Sequence, residues 1–129
     1  MSFRWVEHTA ELELELEADS EEAIFGEAAA AFAELLETPG DRESRQVAAD
    51  GADRATLLAN WLEELVFLAE TEGFAPRRLV EVELGAQDVL AVVEGRKGEP
   101  PPLVKAVTYH DLEFRSEHGK WRARVVLDV

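Results

Sequence analysis

The chain has 129 residues, 47% of them hydrophobic and 32% charged, a balance that suits one domain with its own core and excludes a disordered polymer. No stretch approaches the roughly 18 uninterrupted apolar residues of a membrane span, Met1-Ser2-Phe3-Arg4-Trp5 lacks the apolar run of a secretory signal, and the absence of cysteine excludes disulfides and thiolate chemistry. With 28 Asp and Glu against 13 Lys and Arg, a formal net charge of −15, the surface repels phosphate backbones, so direct nucleic-acid binding is not expected. The expectation is a soluble, cytoplasmic, single-domain protein spanning residues 1–129, whose natural partners are metal cations and basic protein grooves.

Phe3 to Glu7 predicts a short strand, followed by a turn at His8-Thr9-Ala10. Glu11 to Ala18 then alternates strictly with period two. As a strand it places its leucines on a core face and its glutamates in solvent, whereas a helix would scatter both. Asp19-Ser20-Glu21-Glu22 offers an N-cap with a carboxylate three residues on, close to a capping box. A helix to about Glu37 follows, striped by Ile24, Phe25, Ala28, Phe32, Leu35 and Leu36, and Thr38-Pro39-Gly40 ends it. Arg45 to Ala49 is a short strand. Asp53 caps a second helix through about Glu72, with Leu57, Leu58, Trp61, Leu62, Leu65, Leu68 and Ala69 as its buried stripe and Gly73 closing it.

Leu79 to Leu84 and Val89 to Glu94 predict two further strands, and Gly95 to Pro102 a loop. Val104 to Phe114 and Trp121 to Val129 predict two last strands joined by a hairpin around Glu117-His118-Gly119. Two amphipathic helices cannot cover both faces of so large a sheet. The expected fold is therefore α+β, with both helices packed on one face of a mixed sheet. Glu11, Glu13, Glu15, Arg122, Arg124 and Asp128 fall on the opposite, solvated face.

Little in this sequence supports self-contained catalysis. There is no Gly-x-Ser-x-Gly elbow, and Ser2, Ser20, Ser44 and Ser116 are each explained by a terminus, cap or turn. Gly95-Arg96-Lys97-Gly98 lacks the strand-to-helix context of a phosphate loop. No His-x-x-x-His pair or EF-hand loop occurs, which argues against a zinc site or a self-contained calcium loop. A cation site assembled from distant segments stays open. The carboxylates of Glu11 and Asp128 fall near strand ends, and the terminal carboxylate of Val129 adds two oxygens beside Asp128. Carboxylates crowded in this way repel unless a cation or a lysine neutralises them.

Four segments carry a resemblance. His8-Thr9-Ala10-Glu11 is similar to the His-Thr-Ala-Asp opening of the archease family. Leu57-Leu58-Ala59-Asn60-Trp61-Leu62-Glu63-Glu64-Leu65 resembles its Leu-Leu-x-x-Trp-Leu-Asn-Glu-Leu helix. Val104-Lys105-Ala106-Val107-Thr108-Tyr109-His110-Asp111-Leu112 is similar to its Ile-Lys-Ala-Val-Thr-Tyr-His-x-Leu strand. Trp121 to Val129 resembles its closing Trp-x-Ala-x-Val-x-Asp-Ile or Asp-Val. The segments occur in family order and span nearly the whole chain, and Lys-Ala-Val-Thr-Tyr-His is the specific one.

The resemblance implies a protein cofactor of an RtcB-type RNA ligase, not an enzyme. That ligase joins ends bearing a 2′,3′-cyclic or 3′-phosphate to a 5′-hydroxyl, using GTP and manganese through a guanylylated histidine. The cofactor promotes guanylylation and multiple turnover in tRNA splicing or RNA repair. Carried onto this chain, the family's divalent-cation site becomes Glu11 and Asp128, beside the Val129 carboxylate noted above, and its functional lysine becomes Lys105. Calcium is the leading ion, with magnesium and manganese as alternatives. His8 and His110 either orient the acidic ligands or cap turns.

Position 11 is Glu where the family pattern has Asp, which leaves open bidentate coordination, a backbone adjustment, a shift to Glu13, or a weakened site whose ion is optional. Two other classes of function stand beside this reading. One is a free-standing metal-dependent enzyme acting on phosphates. The other is an acidic metal-binding adaptor or chaperone-like module for other RNA-processing enzymes.

Overall fold

The computed structural model describes residues 1–129 as ten elements. In chain order these are β1 (Ser2–His8), β2 (Glu11–Ala18), α1 (Glu21–Leu35), β3 (Asp41–Asp50), α2 (Arg54–Glu72), β4 (Phe74–Leu84), β5 (Asp88–Lys97), β6 (Ala106–Val107), β7 (Glu113–Glu117) and β8 (Lys120–Asp128). The α+β class stands. The strands divide between two sheets, however, and every pairing is antiparallel, where one mixed sheet was expected. The larger sheet runs β1-β2-β8-β6, with β7 also on β8, and the smaller runs β3-β5-β4.

Helices and strands meet through one continuous core. α1 packs on β1, β2 and β8 of the larger sheet and on β4 of the smaller; α2 packs on β3, β4 and β5 of the smaller and on β6 and β7 of the larger. The helices thus join the two sheets instead of lying on one face of a single sheet. Two sheets supply two apolar faces, and these helices are apolar over more than one stripe: α1 buries Ala29 and Ala31 besides the expected Ile24, Phe25, Ala28 and Phe32. Trp61 is fully buried, edge-on to Phe25 at 5.5 Å between centroids, and its indole N–H donates to the Val47 carbonyl at 3.3 Å.

Local chemistry sets the element ends. Asp53 caps α2, its carboxylate accepting the Thr56 N–H at 2.8 Å, and Gly73 closes the helix in the left-handed region at φ 66°. Ser20 caps α1, accepting the Ala23 N–H at 3.1 Å. The residue three beyond this cap is Ala23, so the expected carboxylate of a capping box is absent from that place. At the β7–β8 turn both His118 (φ 52°) and Gly119 (φ 77°) are left-handed, the requirement of a type I′ hairpin.

One predicted strand is broken. Val104 to Phe114 pairs with β8 in register only at Ala106–Val107 and again from Glu113, because the chain bulges over Thr108–Leu112 with Asp111 at φ 56°. Elsewhere the strands run longer than the alternation showed: β4 begins at Phe74 and β5 continues to Lys97. No helix is long and apolar enough to cross a membrane.

Candidate functional site

The alternation of β2 carries its glutamates to the outer face of the larger sheet, where they meet different partners along the strand. Arg4 binds Glu15 across the β1–β2 pair, and Arg122 lies 2.8 Å from Glu17 on the β8 side. The Arg4 guanidinium, hydrogen-bonded to Glu15, holds that carboxyl below its usual range. Arg124 extends the ladder to Glu113 at 3.2 Å. Toward the N-terminal end of β2 the arginines stop. The one ion pair of Glu13 is with the His8 Nε2 at 3.4 Å, and that of Glu11 is with the His110 Nε2 at 3.2 Å.

At that end the expected residues converge. Glu11 stands directly opposite Asp128 in the β2–β8 register, which places both side chains on one face as cross-strand neighbours. Asp128 forms no ion pair. His8 is the partner of Glu11 in the β1–β2 register, so it shares the same face. Lys105 runs beside Asp128, its N–H donating to the Asp128 carbonyl at 2.8 Å, and its ammonium lies in no ion pair. The Val129 N–H donates to the Ala10 carbonyl at 3.3 Å, which ties the last residue of the chain to the β1–β2 turn. A pocket of about 300 Å³ lined by Leu12, Leu35, Leu103 and Val129, with Glu7, His8 and Glu11 also on its wall, adjoins this corner.

All six residues singled out in the sequence therefore lie at one corner: Glu11, Asp128, Val129, Lys105, His8 and His110. Like charges directly opposite on adjacent strands are destabilising, and here neither lysine nor arginine offsets them. The donor set is oxygen-rich, the chemistry that hard divalent cations prefer. It is also sparse, since no three His, Asp or Glu side chains are arranged to hold an ion together. Of three non-glycine residues with positive φ, two flank the site: Ala10 (63°) precedes Glu11, and Asp111 (56°) follows His110. Backbone held in such conformations concentrates at functional positions.

Two residues outside the expected set fasten the site from α2. Glu63 Oε2 accepts the Val107 N–H at 2.8 Å, and Asn60 Oδ1 accepts the Tyr109 hydroxyl at 2.5 Å. Burial, reinforced by the nearby Glu63 charge, pushes the Tyr109 hydroxyl pKa up. The signal in the sequence was slight: two polar residues three apart, bordering the apolar stripe of the helix.

Residues 3–129 match the Archease protein family (MTH1598/TM1083). The chain is similar to Protein archease of Methanopyrus kandleri, 34% identical with all of both chains covered. It is also similar to that of Pyrobaculum islandicum, at 33% with 100% of this chain and 96% of the relative covered. Its fold is similar to the solution structure of Methanobacterium thermoautotrophicum protein 1598, at TM-score 0.71, 25% identity and 98% of each chain. The crystal structure of an archease and possible chaperone from Thermotoga maritima shares the fold at TM-score 0.68 and 20% identity, over 96% of this chain and 94% of that one. With a match over nearly its whole length and full-length relatives above 30% identity, the chain belongs to the archease family.

Proposed function

We propose that this archease is an accessory protein of an RtcB-type RNA ligase, promoting guanylylation and repeated turnover of the ligase in tRNA splicing or RNA repair. The observation that carries the reading is the Glu11–Asp128 pair, two carboxylates face to face without an arginine or lysine on either. The ligase as partner follows from what the resemblance of the four motif segments implies, and the −15 charge is the reason that RNA contact would run through that partner.

In this reading Glu11 and Asp128 hold a divalent cation at the corner of the sheet, calcium first and magnesium or manganese as alternatives. The ion would offset their repulsion and present positive charge toward phosphate. Hard cations of the calcium type take about six to eight oxygens, so two carboxylates leave positions for water and for oxygens on the ligase side. His110 orients Glu11 across 3.2 Å, and His8 steadies Glu13. Lys105, free of any ion pair, reaches a phosphate as a mobile point charge. No residue here supplies a nucleophile; bond making belongs to the ligase.

The test is ligation by a cognate RtcB-type ligase held far below its RNA substrate. Wild-type protein turns a stalled reaction into repeated turnover, and Asp128→Asn abolishes that gain while its thermal unfolding stays near wild type. Unchanged turnover with Asp128→Asn rejects the assignment. The competing reading, an adaptor for other RNA-processing enzymes, draws on the description of the Thermotoga maritima relative as a possible chaperone. Recovery of other such enzymes but no ligase in a pull-down would favour it.

A further inference from the structure

The segment from Val104 to Leu112 carries the two side chains assigned to the partner and the acidic pair, Lys105 and His110, yet its backbone is held thinly. Only Ala106 and Val107 pair with β8 in register, Lys105 and Thr108 add single N–H bonds to it, and the chain bulges beyond them. Upstream, Pro100-Pro101-Pro102 offers no backbone donor at all. Val104 and Val107 bury their side chains in the core, but backbone with so few hydrogen bonds opens locally more easily than the helix beside it.

Helix α2 compensates. Asn60 and Glu63 are three residues apart, so both side chains emerge from the same face. Glu63 takes the Val107 N–H in a charge-assisted bond of 2.8 Å. Asn60 takes the Tyr109 hydroxyl, and its amide donates to the Asp50 carbonyl at 2.7 Å, which braces it against β3. The helix beneath is anchored by Leu57, Leu58, Trp61 and Leu62, all fully buried. Val107 lies two residues from Lys105, and Tyr109 adjoins His110.

The geometry points to Glu63 and Asn60 as positioning residues: a clamp through which the rigid core holds Lys105 and His110 at the acidic corner for use by the ligase. The role in stimulation rests on the ligase reading above. Glu63 and Asn60 touch neither the cation nor RNA in this scheme and act through the backbone and Tyr109.

The experiment uses the full chain with Glu63→Ala, Glu63→Gln and Asn60→Ala, and reads amide hydrogen exchange beside ligase turnover. Glutamine keeps an acceptor oxygen at the same reach. In Glu63→Ala the Val107 amide exchanges on the order of tenfold faster, as expected for one lost hydrogen bond. The core amides of Leu62 and Val125 stay within about threefold of wild type. Stimulated turnover falls with the loss of Val107 protection, and Glu63→Gln restores both; Asn60→Ala lowers turnover in the same direction.

An unchanged Val107 amide in Glu63→Ala overturns the clamp, and so does faster Val107 exchange with full stimulation. If Leu62 and Val125 accelerate together with Val107, the residue is merely structural and the positioning role falls. Should wild-type protein give no stimulation at all, the ligase reading fails and the positioning role with it. The Val107 exchange then still reports whether Glu63 fastens the strand.

Discussion

The acids of this protein differ less in type than in what stands next to them. Glu15 and Glu17 sit in an arginine ladder, whereas Glu11, two turns of the same alternation away, faces Asp128 and a histidine. That difference came from strand register, which no single residue reveals. Asp53 shows the opposite case, a residue whose role follows from its immediate neighbours. Its carboxylate accepts the Thr56 N–H, and that bond holds its pKa below the usual aspartate value. The unfolded chain therefore takes up the proton first as pH falls. The stabilisation is complete above the ordinary aspartate range near 3.9 and disappears as pH drops through the lower folded value. Asp53→Ala should cost about 1 kcal/mol at neutral pH. Urea unfolding of the two proteins should converge at acid pH, and a gap that persists there would assign the loss to something other than the ionised cap.

Turns and caps were the most legible elements. The Glu117-His118-Gly119 hairpin was expected from composition, and both His118 and Gly119 take the left-handed conformation that a two-residue type I′ turn requires. A Cβ at Gly119 would meet no atom within 4 Å, so the penalty for Gly119→Ala is conformational alone. It should lower stability by about 1 kcal/mol, measured by urea unfolding, with the fold preserved. A neutral result would mean that the turn relaxes to another type. The segment after Val104 was the least legible element. Its apolar and β-branched residues suit a strand, and only the bulge ending at Asp111, with the Val107 N–H and Tyr109 hydroxyl turned to Glu63 and Asn60, shows why pairing with β8 breaks between Val107 and Glu113.

Across the whole molecule, stability centres on the residues that join the two sheets. Trp61 touches α1 through Phe25 and β3 through the Val47 carbonyl, and it has no solvent exposure. Trp61→Ala should remove about 3–5 kcal/mol, the range for truncating a buried aromatic, read as a lower midpoint in urea. That is a large fraction of the roughly 5–15 kcal/mol of a typical domain. A loss below about 1 kcal/mol would show that the cavity collapses and that Trp61 does not hold the sheets together.

Periodicity, caps and turn residues are local properties, and by themselves they determined both helices, most strands, the α+β class and the acidic character of the surface. Carboxylates near strand ends raised Glu11, Asp128 and Val129, and likeness of four segments to a known family gave the first two a role and added Lys105, His8 and His110; spacing along the chain, from His8 to Val129, carries no geometric information. Tertiary structure alone decided how the strands divide. Hydrophobic alternation says which face of a strand is buried but not against which neighbour, and helices apolar over more than one stripe can serve two sheets as well as one. It also decided the site: long-range antiparallel register sets Glu11 opposite Asp128, and the Glu63 and Asn60 bonds to Val107 and Tyr109 join residues more than 40 positions apart.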